Sequence, residues 1–83
     1  MAVQFWKRIE IEAKIRAVAA HFDLKHPAGN HRHDPIEADR FGGPNGPNWR
    51  VQTWSTGDAY LQAFTKEVQR VRSQMPMVDP ADL

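Results

Sequence analysis

The middle of the chain constrains the fold most, because residues 25–48 combine four prolines with four glycines. Proline removes a backbone donor and glycine weakens regular structure, so this stretch cannot continue a long helix or strand. We therefore interpret it as a connector between an N-terminal segment without proline or glycine and a regular C-terminal half. Connectors longer than about 12–15 residues are uncommon and are often functional or mobile.

The N-terminal segment carries two overlapping hydrophobic patterns. Every odd position of residues 9–17 is apolar, which is typical of a strand. Apolar residues from Ile11 to Phe22 also recur at the spacing of one helix face. The many alanines favour a helix over a strand, so we predict a helix over residues 9–23. Residues 3–7 precede it and are predicted as a short strand.

Local chemistry predicts a short helix inside the connector. Asp34 is followed by a proline and then by Glu37, which together match the sequence signature of a helix N-terminus. The sequence therefore predicts one short helix over residues 35–41, held to the rest of the domain by Ile36 and Phe41.

Residues 49–54 are rich in aromatic and β-branched side chains, which favours a strand. Trp49 and Val51 then lie on one face, and Arg50 and Trp54 on the other. A strand needs a partner for its backbone donors and acceptors. The candidates are the short N-terminal strand and the same strand of a second copy.

The C-terminal half contains the clearest helix of the chain. Ser55 and Asp58 are spaced as a capping pair at its start, and Pro76 ends it. Residues 76–83 are predicted as a flexible tail. The apolar stripe of the helix consists of Leu61, Phe64, Val68, Val71 and Met75.

Together these elements predict one small α+β domain dominated by helix. It has two main helices, a short middle helix and one or two short strands, and its compact part spans residues 1–75. Its 83 residues, 41% hydrophobic and 25% charged, are typical of a single globular domain.

Several functional classes are excluded by composition. The chain has no cysteine, so disulfides, thiolate metal sites and cysteine nucleophiles are impossible. It has no signal-peptide pattern and no apolar run of the roughly 20 residues that span a bilayer. We therefore expect a cytoplasmic protein without membrane contact. No catalytic or phosphate-binding motif is present, so we expect neither enzymatic activity nor a cofactor.

The primary functional hypothesis is binding to another protein. Three tryptophans, four phenylalanines and three methionines are too many to bury fully in so small a core. Phe5, Trp6, Arg50 and Trp54 are the candidate partner-binding residues, because they lie off the predicted core faces and are of types enriched at interfaces. Such a protein would be a regulator, an inhibitor or an accessory subunit, and a homodimer is among the expected states.

Two alternatives remain open. Arg32 and Arg50, together with the tryptophans, would suit single-stranded nucleic acid, which binds to aromatic faces beside cations. The net charge of only +1 argues against this alternative. His31 and His33 have the spacing of two metal ligands on an extended backbone, but they are weak candidates and no metal site is predicted.

Overall fold

The structure, a computed structural model, describes residues 4–39, 46–56 and 60–83. The described residues contain two α-helices, four short strands and two 3₁₀ turns, which confirms the α+β, helix-dominated class. In chain order the elements are α1 (Arg8–Lys25), a first 3₁₀ turn (Pro27–Gly29), β1 (Arg32–His33), β2 (Glu37–Ala38), β3 (Trp49–Arg50), β4 (Thr53–Trp54), α2 (Leu61–Gln74) and a second 3₁₀ turn (Pro80–Asp82).

Helix α1 confirms the helix predicted over residues 9–23 and extends it slightly at both ends. A carboxylate oxygen of Glu10 accepts a hydrogen bond from the backbone N–H of Lys7 at 3.1 Å, which satisfies one of the free donors at the helix start. Ile11, Ile15 and Ala19 on its inner face are buried against α2 and the strands.

Helix α2 confirms the predicted C-terminal stripe. Phe64, Val68 and Val71 are buried along it, as is Met75 just beyond its end, and Leu61 is half-buried. The helix begins at Leu61, six positions after the serine of the predicted capping pair. The other member of that pair lies outside the described residues.

The four strands form two small two-stranded antiparallel sheets, β1 with β4 and β2 with β3. The two sheets follow each other as one irregular ribbon between residues 32–39 and 48–54. At one end Arg32 lies opposite Trp54, and at the other Glu37 lies opposite Arg50. Five steps from Arg32 to Glu37 correspond to only four from Trp54 to Arg50, so the first side carries one extra residue, as in a β-bulge. The bulge contains a proline, whose missing N–H is tolerated where the ladder is interrupted.

The helix predicted over residues 35–41 is therefore wrong for its described part, which is extended and holds strand β2. Ile36 is buried as predicted, but it reaches the core from the ribbon. The reason is non-local: Asp34 and Asp39 donate their backbone N–H groups to Gln52 and Asn48 across the ribbon, and a short helix could not make these bonds. The predicted anchor Phe41 lies outside the described residues.

The predicted partners of residues 49–54 are also wrong, because those residues pair with the connector. Of the N-terminal strand predicted over residues 3–7, the described part from residue 4 onward forms one parallel bridge, between Trp6 and Val78. Trp6 donates its N–H to the Met77 carbonyl and accepts from the Asp79 N–H, both at 2.9 Å.

Residues 76–83 were expected outside the compact domain, yet they contribute to its core. Val78 is fully buried. The side-chain amide of Asn48 donates to the Val78 carbonyl and accepts from the Val78 N–H, each at 2.8 Å, in the manner of a neighbouring strand. The tail contains two prolines. Its backbone bonds partly to the backbone of Trp6 and Asn48 and partly to the Asn48 side chain, rather than in a regular ladder.

Trp49 joins these layers. Its side chain is fully buried, and its indole N–H donates to the carbonyl of Met75 at 2.8 Å. Arg72 of α2 in turn donates to the Trp49 carbonyl at 2.7 Å and forms an ion pair with Asp39. The ribbon is thus fixed to the end of α2 by hydrogen bonds as well as by apolar contact.

Candidate functional site

A cleft of about 450 Å³ separates α1 from the β1–β4 end of the ribbon. Its α1 side includes Ala19 and Ala20, whose short side chains leave room between the helix and the strands. We call it the Trp54 cleft. It is lined by Arg16, Ala19, Ala20, Asp23, Asn30, His31, Arg32, His33 and Trp54.

One wall of the cleft is built by a pair of residues across the two strands. Arg32 and Trp54 lie directly opposite each other in the antiparallel register, so their side chains share one face of the ribbon. Both are exposed, and Trp54 retains 42% of its accessible surface. On β4 the preceding Thr53 is half-buried, with its hydroxyl 2.8 Å from that of Thr65 on α2. Strand alternation thus holds Trp54 outward while its neighbour anchors the strand.

The charged groups of the cleft are unequal in number. Arg16 and Arg32 supply two cations, and neither forms an ion pair within residues 4–39, 46–56 and 60–83. The lining contains one carboxylate, Asp23. Hydrogen bonds from the backbone and ring of His31 lower the pKa of Asp23, and the nearby Arg32 acts in the same direction. The carboxylate is thus ionised and already occupied by His31, which leaves the arginines available to an anion.

His31 forms the base of the cleft, and its ring is sealed from solvent. It is 3% exposed and lies between two aromatic rings, with centroids 5.3 Å from Phe22 and 5.2 Å from Phe64. Asp23 accepts from the His31 backbone N–H at 2.6 Å and lies 3.0 Å from Nδ1. Because an ionised carboxylate can only accept, Nδ1 donates to Asp23. Nε2 is buried and has no hydrogen-bond partner.

The turn that precedes His31 is shaped around this ring. A Cβ atom on Gly29 would lie 2.5 Å from Cε1 of His31, so only glycine fits against the imidazole there. Asn30 follows with φ of 43°, a left-handed conformation that asparagine tolerates better than most residues. Asp23, Gly29 and His31 therefore fix the path by which the chain enters β1.

This arrangement resembles the orienting half of a catalytic triad but is incomplete as one. When a histidine acts as a general base, the ring nitrogen that is not held by the carboxylate must reach the substrate proton that it removes. Nε2 of His31 instead faces the protein interior. The Asp23–His31 pair is consequently suited to hold the loop in place rather than to transfer protons.

The two weak metal candidates lie in the same cleft. Their Nδ1 atoms are both engaged, since His31 contacts Asp23 and His33 lies 2.8 Å from the carbonyl of Asp34. Among the residues that the structure describes, no three histidine, cysteine, aspartate or glutamate side chains converge as metal ligands.

Only one of the four predicted partner-binding residues lines this cleft, namely Trp54. Arg50 forms an exposed ion pair with Glu37 at 2.8 Å. Trp6 is half-buried against the core, and Phe5 is 50% exposed near the chain start. The four residues therefore do not form one surface around Trp54. The sequence does not single out Arg16 and Asp23, because they belong to no motif and lie outside the apolar patterns of α1.

A second hollow, of about 570 Å³, lies between the two helices. It is lined by Val18, Phe22 and Val71 together with charged residues from both helices, including Lys14 and Glu67. It offers apolar surface, but no residue of the predicted partner-binding set lies in it.

No helix among the described residues is long and apolar enough to cross a membrane. No protein-family model, curated protein sequence or solved structure matches the chain. Function is therefore inferred from the chemistry of the cleft.

Proposed function

We propose that the chain is a small non-enzymatic binding protein that acts by holding a segment of another protein in the Trp54 cleft. The observation that carries this proposal is the exposed Arg32–Trp54 pair on one wall of the Trp54 cleft, across from the short side chains of Ala19 and Ala20 on α1. In this role it would serve as a regulator, inhibitor or accessory subunit. The absence of cysteine supports a cytoplasmic location, where disulfides are rare.

The cleft has the composition of an interface hot spot. Tryptophan and arginine are enriched among residues that dominate binding energy, and they act most strongly when a pocket excludes water around them. Trp54 supplies an aromatic wall, and Ala19 and Ala20 leave space for an apolar side chain. Arg16 and Arg32 then favour a carboxylate beside that side chain. The expected partner segment thus combines an apolar residue with an acidic one.

Two features support binding over catalysis. The only buried imidazole in the described residues, His31, has its second ring nitrogen enclosed by protein. The cleft is broad and its two cations, Arg16 and Arg32, are on long, exposed side chains, whereas catalysis needs groups held in fixed positions.

Selection from a random-peptide display library would test the proposal without a known partner. Peptides with an acidic residue near an aromatic or aliphatic one should be enriched on the wild-type protein. Their binding free energy should then weaken by about 2 kcal/mol in Trp54→Ala, as expected for a hot spot. Leu83→Ala is the matched control, because Leu83 is similarly exposed, at 44%, and does not line the cleft. Equal affinity for both variants would contradict the proposal.

Single-stranded nucleic acid is the second candidate, because the same pair places an aromatic face beside a cation. The two candidates differ in their response to salt, since neutralised phosphates release counterions and peptide binding depends less on them. Anisotropy of a labelled oligodeoxythymidine, measured over a salt series, would separate them. Tight binding with a steep salt slope, lost in Trp54→Ala, would replace the protein-binding proposal by the nucleic-acid one.

A further inference from the structure

Helix α1 carries two apolar stripes on opposite sides. The inner one, with Ile11 and Ile15, is buried in the core. The second consists entirely of exposed residues at spacings of 4, 4, 3 and 4, which at about 3.6 residues per turn form one continuous face. We call it the outer stripe, and its members are Ile9, Ala13, Ala17, Ala20 and Leu24.

The outer stripe ends in the two most exposed large aliphatic residues of the described chain. Ile9 is 75% exposed and Leu24 is 83% exposed. Single exposed apolar residues are ordinary in soluble domains. Here, however, the two are joined by three exposed alanines along a helix of 18 residues, which spans about 27 Å. Ala20 lines the Trp54 cleft, but no core contact explains why Ile9 and Leu24 at the two ends of this face are apolar.

We propose that the outer stripe is a dimer interface, on which α1 of a second copy of this chain packs antiparallel. Four of the five stripe residues are symmetric about the midpoint between Arg16 and Ala17, and the position equivalent to Ala17 is Arg16. Ile9 and Leu24 are equidistant from that midpoint, and so are Ala13 and Ala20. A two-fold axis at the midpoint therefore brings Ile9 of each copy against Leu24 of the other. The alanines between them allow the two helices to approach closely.

The charges beside the outer stripe select the antiparallel orientation. Glu10 and Lys25 lie on the same flank, at opposite ends of α1, and both are exposed. In an antiparallel pair equivalent flanks face each other, so Glu10 of one copy approaches Lys25 of the other, twice. On the other flank, Arg16 of each copy lies near the axis and close to its symmetry mate. Lys14 is also exposed on the flank of Glu10 and Lys25, so the interface pairs opposite charges at its two ends and is basic in its middle.

Sedimentation over a concentration series tests the association. Leu24→Glu should raise the dissociation constant of the dimer at least about 100-fold, because two-fold symmetry removes the buried leucine twice. Leu83→Glu is the matched control, since it makes the same change at an exposed leucine off the stripe. Circular dichroism should show both variants folded. A wild type that stays monomeric at every concentration, or equal losses in the two variants, would overturn the proposal.

The native lack of cysteine allows the orientation to be measured directly. Proteins carrying Ile9→Cys and Leu24→Cys are mixed and oxidised, and the disulfide-linked species are identified by mass spectrometry. The antiparallel pair predicts that mixed dimers exceed either self-linked dimer. An excess of self-linked dimers would indicate a parallel or non-specific contact and would overturn the proposed orientation.

Arg16→Gln provides a test of opposite sign. Removal of the repulsive contact at the axis should tighten the dimer several-fold, a gain that damage to the fold would not produce. Weaker association in Arg16→Gln would contradict the proposed register. Binding of anionic vesicles by a monomeric wild type, lost in Leu24→Glu, would assign the outer stripe to a lipid surface and overturn the dimer. Arg16 and Ala20 also line the Trp54 cleft, so these measurements are made on the protein alone. They report mass and linkage, and their outcome does not depend on whether the cleft binds a peptide.

Discussion

Replacement of Phe64 by alanine should remove a large part of the stability of this domain. Phe64 is fully buried on α2, with its ring centroid 5.7 Å from that of Phe22 and 5.2 Å from that of His31. It therefore joins α2 both to α1 and to the loop that forms the base of the Trp54 cleft. Truncation of a buried phenylalanine to alanine typically costs about 3–5 kcal/mol, through lost burial and the cavity that remains.

That cost is large beside the whole free energy of unfolding. At about 0.05–0.15 kcal/mol per residue, a chain of 83 residues has roughly 4–12 kcal/mol. Phe64→Ala would use between a quarter and all of this stability. Since small domains lose about 1–3 kcal/mol of stability per molar urea, the unfolding midpoint should fall by at least about 1 M.

Urea unfolding followed by far-ultraviolet circular dichroism measures this shift, because the two helices dominate the signal. Phe64→Leu keeps most of the apolar volume and provides a folded intermediate case if the alanine variant is unfolded in buffer. Phe5→Ala is the control, since Phe5 is 50% exposed and should change stability by less than about 0.5 kcal/mol. If Phe64→Ala and Phe5→Ala unfold at the same urea concentration, the core described above is incorrect.

Three further predictions concern the polar contacts. His31 lowers the pKa of Asp23 in the folded state, so the pair stabilises the fold above the ordinary carboxyl pKa of 3.8, and this stabilisation is lost as pH falls below that value. The difference between the urea midpoints at neutral and at acidic pH should therefore be smaller in Asp23→Asn than in wild type. Equal differences in the two proteins would contradict the pairing. Arg72→Ala should cost about 1–3 kcal/mol by leaving the Trp49 carbonyl without its donor, whereas Arg70→Ala, at a 63% exposed side chain, should be nearly neutral in the same urea assay. Calorimetric titration with zinc should show no stoichiometric site, because no three metal ligands converge in the described residues, and a tight one-to-one site would contradict this expectation.

The helices could be predicted from the sequence because their burial follows a local period. The spacing of the apolar residues from Leu61 to Met75 predicts the buried face of α2 without reference to any other segment, and its inner residues are buried as predicted. Helix α1 was harder, because an inner stripe around Ile15 and an outer stripe from Ile9 to Leu24 occupy opposite sides. Together the two stripes make every odd position apolar over residues 9–17, about two and a half helical turns, and this pattern resembles that of a strand. Alanine content resolved the ambiguity correctly.

The ribbon could not be predicted in the same way, because its stability comes from residues distant in the sequence. Asp34 and Glu37 carry a genuine helix-start signature, but a short helix gains little stability by itself. Pairing with residues 49–54 satisfies backbone groups and also buries Ile36 beside the core. The bulge adds a shift of register that alternation alone does not reveal. Local signals were thus overridden by tertiary contacts.

For the candidate site, the sequence identified a side chain but not its surroundings. Alternation along residues 49–54 correctly predicted that Trp54 would be exposed opposite to the buried Trp49. The contribution of Arg16 and Asp23 depends on how α1 crosses the ribbon, and this crossing is not encoded in either segment alone. His31 was noticed for its spacing to a second histidine, whereas the structure gives it a carboxylate partner on α1.

The C-terminal segment shows why a proline-flanked tail can still belong to a core. Val78 is fully buried between Trp6, which forms a bridge with it, and Asn48, whose amide completes its hydrogen bonds. Four residues later, Asp82 accepts a hydrogen bond from the backbone N–H of Arg8 at 3.0 Å. Arg8 begins α1, and the helix dipole favours a negative charge at this N-terminal end. The start of α1 and the end of the described chain therefore stabilise each other. A chain truncated after residue 75 would lose the contacts of both Val78 and Asp82, and the core beside Trp6 would become exposed.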